Sequence, residues 1–230
     1  MTVLNIPMPR EQLERVVRQV VRRQFAQRLA AGEGQLAIAY TPNLVVNISA
    51  RHLHITTEDL QKLFGRGAEL TVYRWLYQPG EFASEQRVSI VGPRGRMIEN
   101  VRILGPVRQI TQVELSFTDA IALGIDAPVR KSAAEKGAAG CLLIGPAGSL
   151  ELTGGVIRAQ RHVHMTPADA EAYGFGDGQY VKLHVQSTCS TTFDRLLCRV
   201  DPKFLLEVHI DTDEGNACDL VNATTVQLLG

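Results

Sequence analysis

What this sequence lacks narrows it first. It has no surplus of basic over acidic residues: Lys+Arg and Asp+Glu each number 24, for a formal net charge of zero. That balance argues against a general binder of nucleic acid or membrane surfaces, whose partners are anionic. The four cysteines, Cys141, Cys189, Cys198 and Cys218, form no C-x-x-C pair, and nothing has the layout of a secretory signal. Reduced thiols in a cytoplasmic protein are the expectation. No apolar run approaches the ~20 residues of a membrane-spanning helix. The glycine-rich pieces lack the spacing of a dinucleotide-binding fingerprint and read as turns.

What remains is an ordinary globular composition, 45% hydrophobic and 21% charged over 230 residues, enough for one large domain or two smaller ones. The charge is uneven. Residues 1–30 hold six arginines against Glu11 and Glu14, a local +4 that leaves −4 for the rest. Within that stretch Leu13, Val16, Val17, Val20, Val21, Phe25 and Leu29 recur at helical spacing, with arginines on the other face. Gly32 and Gly34 then mark a stop and hinge. Residues 1–35 therefore read as an amphipathic helix joined to a folded body. Either it docks on that body or a second copy, as in a homo-oligomer, or it is a targeting or partner-binding tail.

From Leu36 the pattern changes to short runs rich in Val and Ile, bounded by Gly and Pro: 44–49, 87–91, 141–144, 180–185 and 205–210. These read as strands, and many short strands with few helices predict barrels or sandwiches. The chain also repeats itself. Arg51-His-Leu-His-Ile-Thr-Thr-Glu-Asp59 returns as Arg161-His-Val-His-Met-Thr-Pro-Ala-Asp169, an offset of 110 residues. A threonine after each motif (Thr56 or Thr57; Thr166 before Pro167) opens a short helix that ends in a glycine turn. A third copy of the helix and turn, without the histidines, begins at Thr118. The prediction is a mainly β protein of two related barrel units with short capping helices.

Five of the six histidines belong to this pattern. On a strand, residues i and i+2 share a face about 6.5–7 Å apart, so His52 with His54, and His162 with His164, can each converge on one ion. A catalytic metal site needs a third protein ligand beside its open position. Laying Val113-Glu-Leu-Ser-Phe-Thr-Asp119 over Val208-His-Ile-Asp-Thr-Asp-Glu214, an offset of 95, sets Glu114 opposite His209. Two ligand sets follow: His52, His54, Glu114 and His162, His164, His209. Both suit zinc, and cobalt also fits. The alternative for Glu114 is a solvated strand carboxylate, and His184 is read as structural. Two ions with facing vacancies suit an oxyanion such as phosphate, and Arg102 or Arg108, flanking Gly105-Pro106, can supply the bidentate arginine.

These residues carry a resemblance. Asn47-Ile-Ser-Ala-Arg-His-Leu-His54, Gly105-Pro-Val-Arg108 ahead of Glu114, Arg161-His-Val-His-Met165 and His209-Ile-Asp-Thr-Asp-Glu-Gly-Asn216 are similar to the PduL family of phosphate acyltransferases, from about residue 40 onward. The resemblance implies two β-barrel units, one from residues 41–51 and 160–229 and the other from 52–159. It implies a di-zinc site on the six ligands above, and Arg108 as the catalytic, phosphate-binding residue. It implies a coenzyme A pocket at Ser49, Arg74, Arg102, Leu104 and Asn216. The implied reaction is acyl-CoA + phosphate ⇌ acyl phosphate + CoA, with propanoyl-CoA or another short-chain acyl-CoA as substrate. Some members carry an N-terminal helix that directs them into bacterial microcompartments, as in propanediol degradation, and residues 10–29 can play that part toward shell or cargo proteins. The rival readings are a dinuclear metal hydrolase of phosphoesters or thioesters, and a β-barrel binding module without catalysis.

Overall fold

A computed structural model describes residues 42–132 and 137–230. The N-terminal amphipathic helix expected within residues 1–35 lies outside the described residues. The first half runs β1 (Val45–Ser49), β2 (His52–His54), α1 (Thr57–Phe64), β3 (Val72–Trp75), β4 (Phe82–Val91) and β5 (Met97–Gly105). The middle follows with β6 (Gln112–Glu114), α2 (Phe117–Leu123), β7 (Val129–Arg130), β8 (Ala139–Ile144) and β9 (Ser149–Ala159). The last part holds β10 (His162–Met165), α3 (Pro167–Tyr173), β11 (Tyr180–Gln186), β12 (Thr191–Val200), β13 (Glu207–Asp211), α4 (Thr212–Ala217) and β14 (Thr225–Leu229).

The protein is mainly β, with four short helices among the described residues. Six strands in the order β1-β13-β10-β12-β11-β14 form a barrel. The others form an eight-stranded half-barrel in the order β3-β4-β5-β2-β6-β9-β7, with β8 pairing β4 and β9. Both contain crossed connections, so β1 reaches β13 in parallel register, Val45 opposite Glu207 and Ser49 opposite Asp211. Each sheet has its own core. Leu53, Ile55, Leu60, Ile103, Val113 and Leu143 fill one; Val163, Met165, Leu183, Leu196, Val208 and Ile210 fill the other. Strand alternation explains the division of labour: Leu53 and Val163, the middle residues of the two His-x-His motifs, point into these cores, so their histidine neighbours point away.

The four helices share one construction. Each follows a short strand, and the residue just ahead of it caps it: Thr56, Ser116, Thr166 and Asp211 each accept from the backbone N–H three residues on. In α3 and α4 the acid at that third position, Asp169 or Glu214, also accepts from the cap's own N–H, closing a capping box. The third helix copy, expected to start at Thr118, starts one residue earlier and is capped by Ser116, because the serine hydroxyl reaches the Asp119 N–H. Thr118 instead donates its backbone N–H to Asp213 Oδ2 at 2.7 Å. On α4 a Cβ at Gly215 would come within 2.5 Å of the Ile48 side chain, so any larger residue there would force Ile48 of β1 to move.

Truncating the buried middle residue of a His-x-His motif should be costly. Leu53→Ala is expected to lower stability by about 2–5 kcal/mol, the usual loss for emptying a fully buried leucine site. Urea unfolding measures it, and a loss below about 1 kcal/mol would mean that Leu53 does not anchor β2 in its core.

Candidate metal centre

The helix-bearing strands β2, β6, β10 and β13 each carry one candidate ligand two residues ahead of the cap: His54 before Thr56, Glu114 before Ser116, His164 before Thr166, His209 before Asp211; His52 and His162 stand a further two residues back. Caps and ligands thus share a side of each strand by the two-residue period. Cross-strand pairing assembles them. His52 lies opposite Glu114 in the antiparallel β2–β6 pair, and His162 lies opposite His209 in the antiparallel β10–β13 pair. The 95-residue offset thus corresponds to one register position in two sheets.

Two triads result, His52–His54–Glu114 and His162–His164–His209, the ligand atoms of each lying within 4.8 Å of one another. His52 Nε2 is 3.5 Å from Glu114 Oε2. The His162 and His209 rings stack at 4.9 Å between centroids, with His164 4.8 Å from the first and 5.0 Å from the second. Both first histidines are oriented alike. His52 Nδ1 is 2.8 Å from the Ala50 carbonyl and His162 Nδ1 2.9 Å from that of Gln160. A carbonyl only accepts, so Nδ1 carries the proton in each and Nε2 presents its lone pair to the site.

The remaining nitrogens test whether these residues fit an ion. His54 Nδ1, both ring nitrogens of His164 and His209 Nε2 are buried without a hydrogen bond. His209 Nε2 does lie 3.0 Å from Glu207 Oε2, and this contact helps hold the Glu207 carboxyl below its usual range. Buried polar atoms are normally satisfied, and the three others, on His54 and His164, mark a missing partner. Protons do not fill the gap. Burial, followed by the charge of His52 and Arg108, pushes His54 down to about 3. Burial and then His209 push His162 to about 4, and burial with His162 and His209 pushes His164 to about 2. Neutral imidazoles with free lone pairs are metal ligands in waiting. Glu114 stays ionised: burial opposes its charge, but His52, His54 and the Ser132 hydroxyl, 2.7 Å from Oε1, hold it below the usual carboxylate range. The donors fit a zinc-class ion in each triad.

The triads line one cavity of about 700 Å³. Ser49, Arg74, Arg102, Leu104 and Arg108 line it too. Arg108 is fixed from two sides, its backbone N–H donating to the Ile55 carbonyl at 2.8 Å and its Nη2 to Glu81 Oε1 at 2.9 Å. Arg102, opposite His52 in β5, donates to the Ser84 carbonyl and lies 4.2 Å over the Tyr73 ring. Asn216 is exposed on α4 and is not among the lining residues. His184 faces Thr192, Nδ1 2.9 Å from its hydroxyl, away from the cavity. Cysteine chemistry has no place here. All four thiols are free, and burial raises Cys141 to about 12.

Several neighbours of the triads carry no signature in the linear sequence. Gln112 and Glu207 stand two residues ahead of Glu114 and His209, opposite His54 and His164. Glu207, almost fully buried, accepts from Asn47 and from Gln78 Nε2 at 2.6 Å. The spacing Glu207-x-His209 repeats the period of the His-x-His motifs and was the available clue. Ser132, Gln78 and Arg199 offered none. The arginines preceding the two motifs take a structural part. Arg51 makes a two-pronged ion pair with Asp119 at the start of α2, and Arg161 pairs with Glu214 at the start of α4, at 2.6 Å.

Fold and site together describe a mainly β protein with two matched His/Glu ligand groups in a shared cavity. Comparison with known proteins gives that description a family. A family model described as phosphate propanoyltransferase matches residues 45–221. Curated proteins named phosphate propanoyltransferase are 52% identical over 222 residues in Planctopirus limnophila, covering 96% of this chain and 91% of that protein. They are 50% identical over 189 residues in Thermotoga maritima, covering 82% and 90%. They are 54% identical over 170 residues in Priestia megaterium, covering 74% and 78%. The chain belongs to the phosphate propanoyltransferase family.

Two outcomes are expected. His52→Ala and His162→Ala should each lower bound metal from about two ions per chain to about one and remove most activity while the circular dichroism spectrum persists. Full metal content with full activity in either variant would contradict the two-triad assignment. For chelator-treated protein the sign of the histidine shifts fixes a pH dependence. Below the ordinary value of 6.5 the unfolded chain takes up protons that buried His54, His162 and His164 refuse. Stability is therefore full above that value and falls as pH drops toward the folded values. The melting temperature of the metal-free protein should decline from pH 7 to pH 5; a flat profile would mean that these imidazoles are not held neutral.

Proposed function

We propose that this protein interconverts acyl-CoA plus phosphate with acyl phosphate plus CoA, with propanoyl-CoA or another short-chain acyl-CoA as substrate, at a dinuclear zinc site. The observation that carries the reading is the shared cavity, in which two complete ligand triads stand beside Arg108, within a chain of the phosphate propanoyltransferase family. Zinc-class ions, or cobalt, bound by His52, His54, Glu114 and by His162, His164, His209 would supply Lewis-acid positive charge to anionic oxygens. The rest falls to the protein's own side chains. Arg108, braced by Glu81, presents its remaining donors to phosphate and holds it against the acyl carbon. A phosphate oxygen attacks the thioester carbonyl, the carbon–sulfur bond breaks, and the thiolate departs with the electron pair. Guanidinium groups stabilise the oxyanion that forms between. Coenzyme A is assigned to Ser49, Arg74, Arg102 and Leu104 along the wall, with Asn216 as an outer contact on α4.

The sheets are assigned as the two units, 41–51 with 160–229 and 52–159. The N-terminal segment is assigned to self-association or to a microcompartment shell or its cargo, in a cytoplasmic setting such as propanediol degradation.

Release of free thiol from acetyl-, propanoyl- and longer acyl-CoAs, with and without phosphate, tests the reaction. Phosphate-dependent release is expected. Release without phosphate would identify a hydrolase, and much less than one metal ion per chain would favour a binding module. Within that assay Arg108→Lys keeps the charge but loses the planar fork. The Michaelis constant for phosphate should rise and turnover fall by about tenfold or more, with acyl-CoA binding little changed. Parental constants would remove Arg108 from the phosphate site.

A further inference from the structure

Five arginines line the cavity, and four have an evident occupation or exit. Arg51 is paired with Asp119, Arg102 with the Ser84 carbonyl, and Arg108 with Glu81, while Arg74 lies on the exposed strand β3. Arg199 differs. It is half-buried on β12 and, among the described residues, makes no hydrogen bond or ion pair; its guanidinium lies 5.7 Å over the Phe204 ring. A guanidinium carries five donors in a fixed fork and no acceptor. With no protein partner, these donors are left free at the cavity wall for solvent or for a ligand that matches the fork.

The internal repeat shows that this placement is specific. In the half-barrel, β5 runs parallel to β2 and sets Arg102 beside the first histidine, His52. In the barrel, β12 runs parallel to β10 and sets Leu197 beside His162 and Arg199 beside the second histidine, His164. The cation has moved one side-chain step along the equivalent strand. The step brings it within electrostatic reach of Arg108 and Glu114, while the Phe204 ring beneath it is stacked 4.2 Å from His164. Burial, and next the charge of Arg108, hold Arg199 below its ordinary value while Glu114, Glu81 and Asp177 act the other way, and an anion held by both guanidiniums would offset their repulsion. Arg199 comes from β12 of the barrel and Arg108 from the loop between β5 and β6 of the half-barrel.

We propose that Arg199 is a second catalytic arginine, which binds the phosphoryl oxygens of phosphate and of acyl phosphate together with Arg108. The proposal rests on the acyl-transfer reading. Arg199 donates hydrogen bonds and is unchanged by the reaction. While the new carbon–oxygen bond forms and the carbon–sulfur bond breaks, it holds the charged group that stays in the cavity as thiolate leaves.

The test uses the full-length, metal-loaded protein with Arg199→Met and Arg199→Lys, each checked for metal content and melting temperature. Arg199→Met should raise the Michaelis constant for phosphate about tenfold or more and lower turnover, leaving that for propanoyl-CoA within about twofold. Arg199→Lys should move the same constants by less, since it restores charge without the fork. If the methionine variant does not fold, the lysine variant carries the test. Orthophosphate should raise the melting temperature of the parent and fail to do so in Arg199→Met, a readout independent of turnover. Free guanidinium at millimolar concentration should restore part of the activity of Arg199→Ala, which a packing role would not allow. A phosphate constant within about twofold of the parent in folded, metal-loaded Arg199→Met would overturn the proposal, as would a rise confined to the acyl-CoA constant. Absence of phosphate-dependent thiol release from the parent would instead refute the functional reading, and the phosphate-induced thermal shift would still decide whether Arg199 binds the anion.

Discussion

Four three-residue steps along four short strands organise this protein: His52-His54-Thr56, Gln112-Glu114-Ser116, His162-His164-Thr166 and Glu207-His209-Asp211. The constraint beneath them is the two-residue period of an extended chain, which sends alternate side chains to one face. The first two positions of each step, Gln112 excepted, line the cavity, and the third turns the chain into a helix by capping it. The interleaved positions, Leu53, Val113, Val163 and Val208, are buried in the two cores. A ligand therefore cannot shift by one residue without dragging its neighbour out of the core and its cap off the helix.

Hydrogen bonds behind the ligands make that positioning rigid. Ser132 holds one oxygen of Glu114, and the Ala50 and Gln160 carbonyls fix the tautomers of His52 and His162. Glu207 ties Asn47 on β1 to Gln78 beyond β3, and Gln78 also exchanges hydrogen bonds with the backbone of Leu205. Buried polar groups of this kind are tolerated only because each finds partners, and they exchange flexibility for a fixed geometry at the cavity wall.

Much of this was legible in the sequence, for a physical reason. A strand's period and a helix cap's hydroxyl are local, so the His-x-His motifs, the threonine caps and the 110-residue repeat announce themselves within nine residues. Glu114 and His209 became visible through the repeat, and the structure sets both opposite a first histidine. The start of α2 was misplaced by one residue because Thr118 competes with Ser116 as a cap in sequence, and only the geometry of Asp119 separates them. Arg199, Ser132 and Gln78 reach the cavity through pairings between strands far apart in the chain, and no local spacing encodes those. The exposed position of Asn216 depends likewise on how α4 lies against β1.

Each candidate triad is drawn wholly from one sheet, since β2 and β6 belong to the half-barrel and β10 and β13 to the barrel. Neither ligand set borrows a side chain from across the cavity. Each group of candidate ligands thus keeps its full complement of donors when a residue of the other is replaced. A substitution in one sheet therefore disables one group without dismantling the other, so the two halves of the cavity wall can be taken apart separately.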